Sequence, residues 1–210
     1  MNIHHISRKT ILAALAVMAV PAAAFAAPAL TGSSAAPHAT SVAASVTTAT
    51  ASCPRGWGSL PEVNNHVRSP LTSVPTTVTN VRSGRHTCYD RLVIDLTGGA
   101  TGYDVRYVSS VRQDGSGALV PLRGGSRLQI VVRAPAYTID TGKPTYAPKN
   151  GKELTDVAGY STFRQVAFAG SFEGQTTLGL GVRARLPFRV FTLTGPGTGG
   201  RLVIDVAHRW

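Results

Sequence analysis

Acidic side chains are scarce in this 210-residue chain: ten Asp and Glu stand against 21 Lys and Arg, a net charge of +11. Cysteine is scarcer, with two residues, and lysine supplies only four of the 21 cations. No stretch approaches twenty apolar residues, which argues against a membrane-spanning helix. No His or second Cys stands at zinc-ligand spacing from Cys53 or Cys88, so no metal site is expected. No cofactor is expected either. Residues 195–200 are glycine-rich, but the Lys-Ser/Thr and helix of a phosphate loop do not follow. The 17 arginines are scattered singly, which disfavours nucleic acid as a partner. An excess of cations does draw a protein to anionic polymers by long-range attraction, although GC-rich coding also favours arginine.

What is present first concerns the compartment. Arg8 and Lys9 precede an apolar stretch over 11–20, and Ala24-Phe25-Ala26 has the small-x-small form of a signal-peptidase site. Residues 1–26 are therefore expected to be a signal peptide, and their removal would leave a net charge of +9. Residues 27–52 are mostly Ala, Ser, Thr and Pro. They have too little apolar area to offset ordering entropy and read as a disordered tether. The remaining 53–210 is of single-domain length. In an oxidising compartment its lone cysteine pair, Cys53 and Cys88, reads as a disulfide.

The domain reads as all-β. Runs of β-branched and aromatic residues alternate with Gly- and Pro-rich turns, with no convincing helical period. Strands are expected over 78–82, 91–96, 103–111, 127–133, 164–168, 176–183, 188–193 and 201–207, an arrangement that suits a sandwich or barrel. Residues 114–117 (Asp-Gly-Ser-Gly) form a hairpin-type turn. The long connection 134–161 is the exception, with one helical turn expected within 151–158.

The most specific internal signal is a repeat. Arg91-Leu92-Val93-Ile94-Asp95-Leu96 recurs as Arg201-Leu202-Val203-Ile204-Asp205-Val206. Period-2 alternation puts Leu, Ile and Leu/Val on one face, and Arg, Val and Asp on the other. The copies are expected in two related sheets or at pseudo-symmetric positions of one sandwich. Arg91 and Arg201 should be solvated, and Asp95 and Asp205 should be surface acids paired to cross-strand Arg. These strands, the Gly-Tyr-Asp-Val-Arg-Tyr-Val after the first copy, and Pro-Phe-Arg-Val-Phe before the second resemble the AMIN-like domain family of secreted actinobacterial cell-envelope proteins. The resemblance covers about 53–210. It implies a β-sandwich of two small sheets that targets proteins to the envelope by binding peptidoglycan, and it brings no catalytic residues with it. The amidases that carry AMIN modules have a hydrolase domain after the module, and none is expected here.

A search for catalysis finds little. Residues 159–163 lack the second Gly of a nucleophile elbow, and Asp90 and Asp95, at odd separation, face opposite sides of a strand. The chain is therefore expected not to be an enzyme. A binding surface remains. Arg183, Arg185 and Arg189 lie within seven residues, with Arg164 on a nearby strand and Arg183 and Arg185 on one strand face. Tyr137, Tyr146 and Tyr160 in the long connection are candidates to stack on sugar rings. The resulting expectation is a secreted, monomeric, non-catalytic module for peptidoglycan or an anionic wall polymer. Two alternatives stand beside it. One is a small-molecule or lipid carrier with an apolar β cavity. The other is an unrecognised hydrolase, in which His66, His86 or His208 would meet a Ser or Asp.

Overall fold

The computed structural model describes residues 53–65, 76–99 and 101–210. The expected signal peptide, the expected tether and His66 lie outside them. Among the described residues there are eleven strands: β1 (Glu62–Asn64), β2 (Val78–Arg85), β3 (Tyr89–Leu96), β4 (Tyr103–Val108), β5 (Val111–Arg112), β6 (Leu119–Val120), β7 (Ser126–Val132), β8 (Phe163–Phe172), β9 (Gln175–Val182), β10 (Phe188–Thr194) and β11 (Gly200–Ala207). They form an antiparallel five-stranded sheet, β1-β4-β7-β9-β8, and an antiparallel four-stranded sheet, β10-β11-β3-β2, with β5 and β6 as a separate hairpin. The all-β sandwich expected from the alternating pattern is the observed fold. The single strand expected over 103–111 is split between β4 and β5, and the short β1 and β6 carry too few residues to show a period.

Both copies of the repeat turn one face inward. Leu92, Ile94, Leu96, Leu202, Ile204 and Val206 lie in one core with Leu128, Ile130, Leu178 and Leu180 of the other sheet. Most of these side chains are wholly inaccessible to solvent, so the space between the sheets is filled rather than left as a carrier's cavity. The copies are not in two sheets but are direct neighbours, β3 against β11, with Val93 opposite Val203 at the centre. Antiparallel pairing makes the repeat its own complement. The first-position Arg91 faces the fifth-position Asp205, and Arg201 faces Asp95.

No described residue is helical, so the turn expected within 151–158 is not there. Apart from turn bonds such as Glu153 N–H on the Asn150 carbonyl (3.2 Å), the backbone of that stretch bonds sideways to β8, with Leu154 N–H on the Val166 carbonyl (2.8 Å) and Phe168 N–H on that of Gly151 (2.7 Å). The outer face of the five-stranded sheet is covered where Val111, Val120 and Leu122 pack on Ala167 and Ala169. Gly179 and Gly181 of β9 permit this approach. A Cβ on Gly181 would lie 2.0 Å from the Arg123 carbonyl oxygen, and one on Gly179 would lie 2.8 Å from Leu122 Cδ1.

Candidate functional site

The segment before β1 builds the most distinctive corner of the molecule. Cys53 is disulfide-bonded to Cys88, with Cα atoms 5.3 Å apart, immediately before β3. Five residues on, Gly58 pairs with Phe188, whose N–H donates to the Gly58 carbonyl at 2.8 Å. Residues 53–58 thus form a strap from the start of β3 to the start of β10, passing the end of β11 between them. Trp57 rides on this strap. Its ring lies 4.5 Å from the Arg189 guanidinium carbon and 5.6 Å from the Tyr89 ring.

Under the strap the outward face of the four-stranded sheet is not the solvated face that the alternation suggested. Asp205 is wholly buried. Arg91 grips it bidentately, Nε on Oδ1 at 2.6 Å and Nη2 on Oδ2 at 2.9 Å, while Arg189 reaches Oδ2 from the opposite neighbour at 2.8 and 2.9 Å. Cross-strand pairing to Arg was expected and is found, but Asp205 is not a surface group and Arg91 is only partly exposed. Trp57, Tyr89 and Phe191 close over them with ring-to-guanidinium distances of 4.5–5.8 Å. Asp95 is more open and bonds Arg82 of β2 at 2.9 and 3.0 Å. Arg201, opposite Asp95, is half-buried and donates to the Thr194 carbonyl at 3.2 Å.

At the end of the strap opens a cleft of about 620 Å³, walled by the disulfide, Arg55, Trp57, Pro187, Arg209 and Trp210. Among the described residues, no acidic side chain lines it. Trp210 is 74% exposed and donates its indole N–H to the Arg185 carbonyl at 3.2 Å. Arg185 hydrogen-bonds Ser59 Oγ and the Ser59 carbonyl at 3.1 and 2.8 Å and stacks on Tyr107. Arg183 donates to the His208 carbonyl, two residues before Trp210. Arg183, Arg185 and Arg189 contact His208, Trp210 and Trp57 without lining the cleft, and the first two sit in the β9–β10 connection and not on a strand face. Arg164 lies elsewhere. It donates to the carbonyls of Tyr160, Ser161 and Phe163 and borders a second cleft beside the Arg123–Glu153 pair.

The three tyrosines are half-buried. Tyr146 packs on the core against Phe168, and burial pushes its hydroxyl pKa up. Tyr160 stacks on Phe163 and hydrogen-bonds Ser83 at 2.9 Å, while the Tyr137 hydroxyl accepts the Gly174 N–H at 3.3 Å. The signal for the cleft was in the sequence all the same. Arg55-Gly56-Trp57 and Arg209-Trp210 are Arg-Trp pairings at opposite ends of the domain, and they hold the chain's only two tryptophans.

Of the histidines, His86 stacks on Tyr89 at 4.5 Å and His208 meets the buried Asp90 at 3.2 Å. The other Asp90 oxygen accepts the N–H groups of Thr162 and Phe163 at 2.5 and 3.1 Å. The nearby Thr162 hydroxyl donates to the Ala207 carbonyl. This arrangement pins the 162–163 backbone to the end of β11 and aims no nucleophile at a cavity.

The molecule is thus an antiparallel sandwich with a packed interior and a cationic, tryptophan-lined end. The chain belongs to the AMIN-like domain family, whose model matches residues 76–208. Domains of this family are typically non-catalytic binding modules associated with the cell envelope. No curated protein matches the chain. The strap with Arg55 and Trp57, and the terminal Arg209-Trp210, fall outside the matched residues.

Proposed function

We propose that this protein is an exported, non-catalytic module that holds to peptidoglycan or an anionic wall polymer. Residues 1–26 would be its export signal, 27–52 its tether and 53–210 its binding domain. One observation carries the reading: exposed arginines beside the strap have no acid to neutralise them. Arg183 and Arg185 are exposed and bond only carbonyl and hydroxyl oxygens. Elsewhere the acids serve the fold, in Arg82–Asp95, Arg106–Asp104, Arg123–Glu153 and the Asp205 cluster. Guanidinium groups left in this state bind carboxylates and phosphates through bidentate, charge-assisted hydrogen bonds.

The test is retention on purified sacculi, with and without the anionic polymers stripped, across a salt series. Arg183→Gln with Arg185→Gln should weaken retention and flatten its salt dependence, because exposed charges are screened as salt rises. Arg189 stays intact in that variant, since it is committed to Asp205. Retention indifferent both to salt and to the double substitution would refute the reading. Tight retention only while anionic polymers are present would assign the ligand to them, and retention on stripped sacculi to peptidoglycan.

A further inference from the structure

We infer that the cleft between Trp57 and Trp210 is a binding site for an acidic saccharide, a sugar ring carrying a carboxylate or phosphate. This rests on the envelope-binding reading and specifies where, and by what chemistry, one repeating unit is held. Four observations converge on it. The cleft, at about 620 Å³, lies within the roughly 300–1,000 Å³ typical of small-molecule sites. It gathers both of the chain's tryptophans, whose flat faces suit the apolar face of a pyranose. Trp210 is fixed at its indole N–H by the Arg185 carbonyl, yet it is 74% exposed, so its ring is positioned but uncovered.

The fourth observation is charge. Arg55 and Arg209, both exposed, line the cleft, and neither forms an ion pair with another described residue. No acidic side chain in the lining competes for them, and the one contact of Arg209 there is a long one to Cys53 Sγ at 4.0 Å, so an incoming anion meets two guanidinium forks with free donors. The elements that build the site share an origin. Arg55 and Trp57 precede the residues matching the family, and Arg209 and Trp210 follow them. The matched residues contribute Cys88, Pro187 and Ala207 to the same lining. The disulfide holds the first of these ends against β3, where it meets the second.

The experiment uses the tryptophans themselves, because both indoles of the chain line the cleft and emission excited selectively at tryptophan, not at the six tyrosines, reports on it. A disaccharide of N-acetylglucosamine and N-acetylmuramic acid, glucose 1-phosphate and neutral diacetylchitobiose are titrated into the full protein with its disulfide intact. The acidic ligands should shift or quench the emission saturably, and chitobiose should bind more weakly. Arg55→Gln and Arg209→Gln should each weaken the acidic ligand about tenfold or more, the loss of one hydrogen bond to a charged group. They should leave chitobiose unchanged. Trp210→Ala, an exposed truncation that spares the core, should weaken all three.

Tighter binding of the muramic disaccharide assigns the anion to a carboxylate, and tighter binding of the sugar phosphate to a phosphate. Equal affinity for chitobiose and the acids overturns the role of the arginines. No fluorescence response at millimolar ligand, while sacculi still retain the protein, overturns the cleft and leaves the envelope reading standing. If retention fails as well, both fall.

Discussion

Replacing Asp205 by Ala tests whether the strap-covered cluster is one energetic unit. The carboxylate is fully buried, and its arginine partners are 23% and 40% exposed at the side chain. Breaking a buried pair by deleting one partner costs about 3–5 kcal/mol, chiefly because the remaining charge is left uncompensated. Here the two freed guanidinium groups can recover water on their exposed sides, which places Asp205→Ala at the lower end, about 3 kcal/mol. For a domain of this size that corresponds to a melting temperature lower by roughly 6–12 °C. Urea unfolding followed by circular dichroism measures it, with an unchanged slope showing that the denatured state is the same. The sign should reverse in an Arg91→Met, Arg189→Met background. There Asp205 would be the uncompensated charge, and Asp205→Ala should be neutral or stabilising. A loss under about 1 kcal/mol in the wild-type background, or the same loss in both backgrounds, would refute the cluster as described.

Four further outcomes follow from the geometry. Ile204→Ala should cost roughly 2–5 kcal/mol by calorimetry, since its side chain is wholly buried where the sheets meet. Gly181→Ala should destabilise by about 1–3 kcal/mol or more, because the added Cβ would sit 2.0 Å from a backbone oxygen of Arg123 that has no rotamer to yield. Glu173 has φ of 49° in the two-residue turn between β8 and β9, so Glu173→Asn should stabilise by roughly 0.5–1 kcal/mol in the same assay. Burial raises the Glu62 pKa, more than the Val190 N–H and Arg189 lower it. A raised folded-state carboxyl loses stability as pH climbs from the ordinary carboxylate range through the raised value. Glu62→Gln should therefore gain stability at pH 7, and the gain should vanish below about pH 4.

The fold was legible where periodicity was strong and strands were long. The two RLVID copies announced their buried face because Leu and Ile alternate with polar residues, and the paired cysteines announced their disulfide. Alternation also misled. It assigns Asp205 and Arg91 to an outer face, but it cannot say that six residues from before the first strand will be laid across that face. Asp205 is buried by tertiary contacts, the clasp of Arg91 and Arg189 with the rings of Trp57, Tyr89 and Phe191 over them. The arginines at 183, 185 and 189 were noticed because they are near one another in sequence. Arg55 and Arg209 were not, being 154 positions apart. The tyrosines looked like sugar platforms because their connection is long and polar, yet its backbone bonds to β8 draw Tyr146 and Tyr160 down against the core.

The Cys53–Cys88 bond has a consequence beyond stability. It is the covalent hold on the segment bearing Arg55 and Trp57, whose other anchors, the Gly58–Phe188 bridge and the Trp57–Arg189 contact, are non-covalent. With the thiols reduced, the strap would be held by those two contacts alone, and the wall of the cleft that carries Arg55 and Trp57 would be freed to move. If the cleft holds the acidic saccharide inferred above, that site would be completed only by oxidation. The bond that closes a loop in the fold would then also set when recognition can begin.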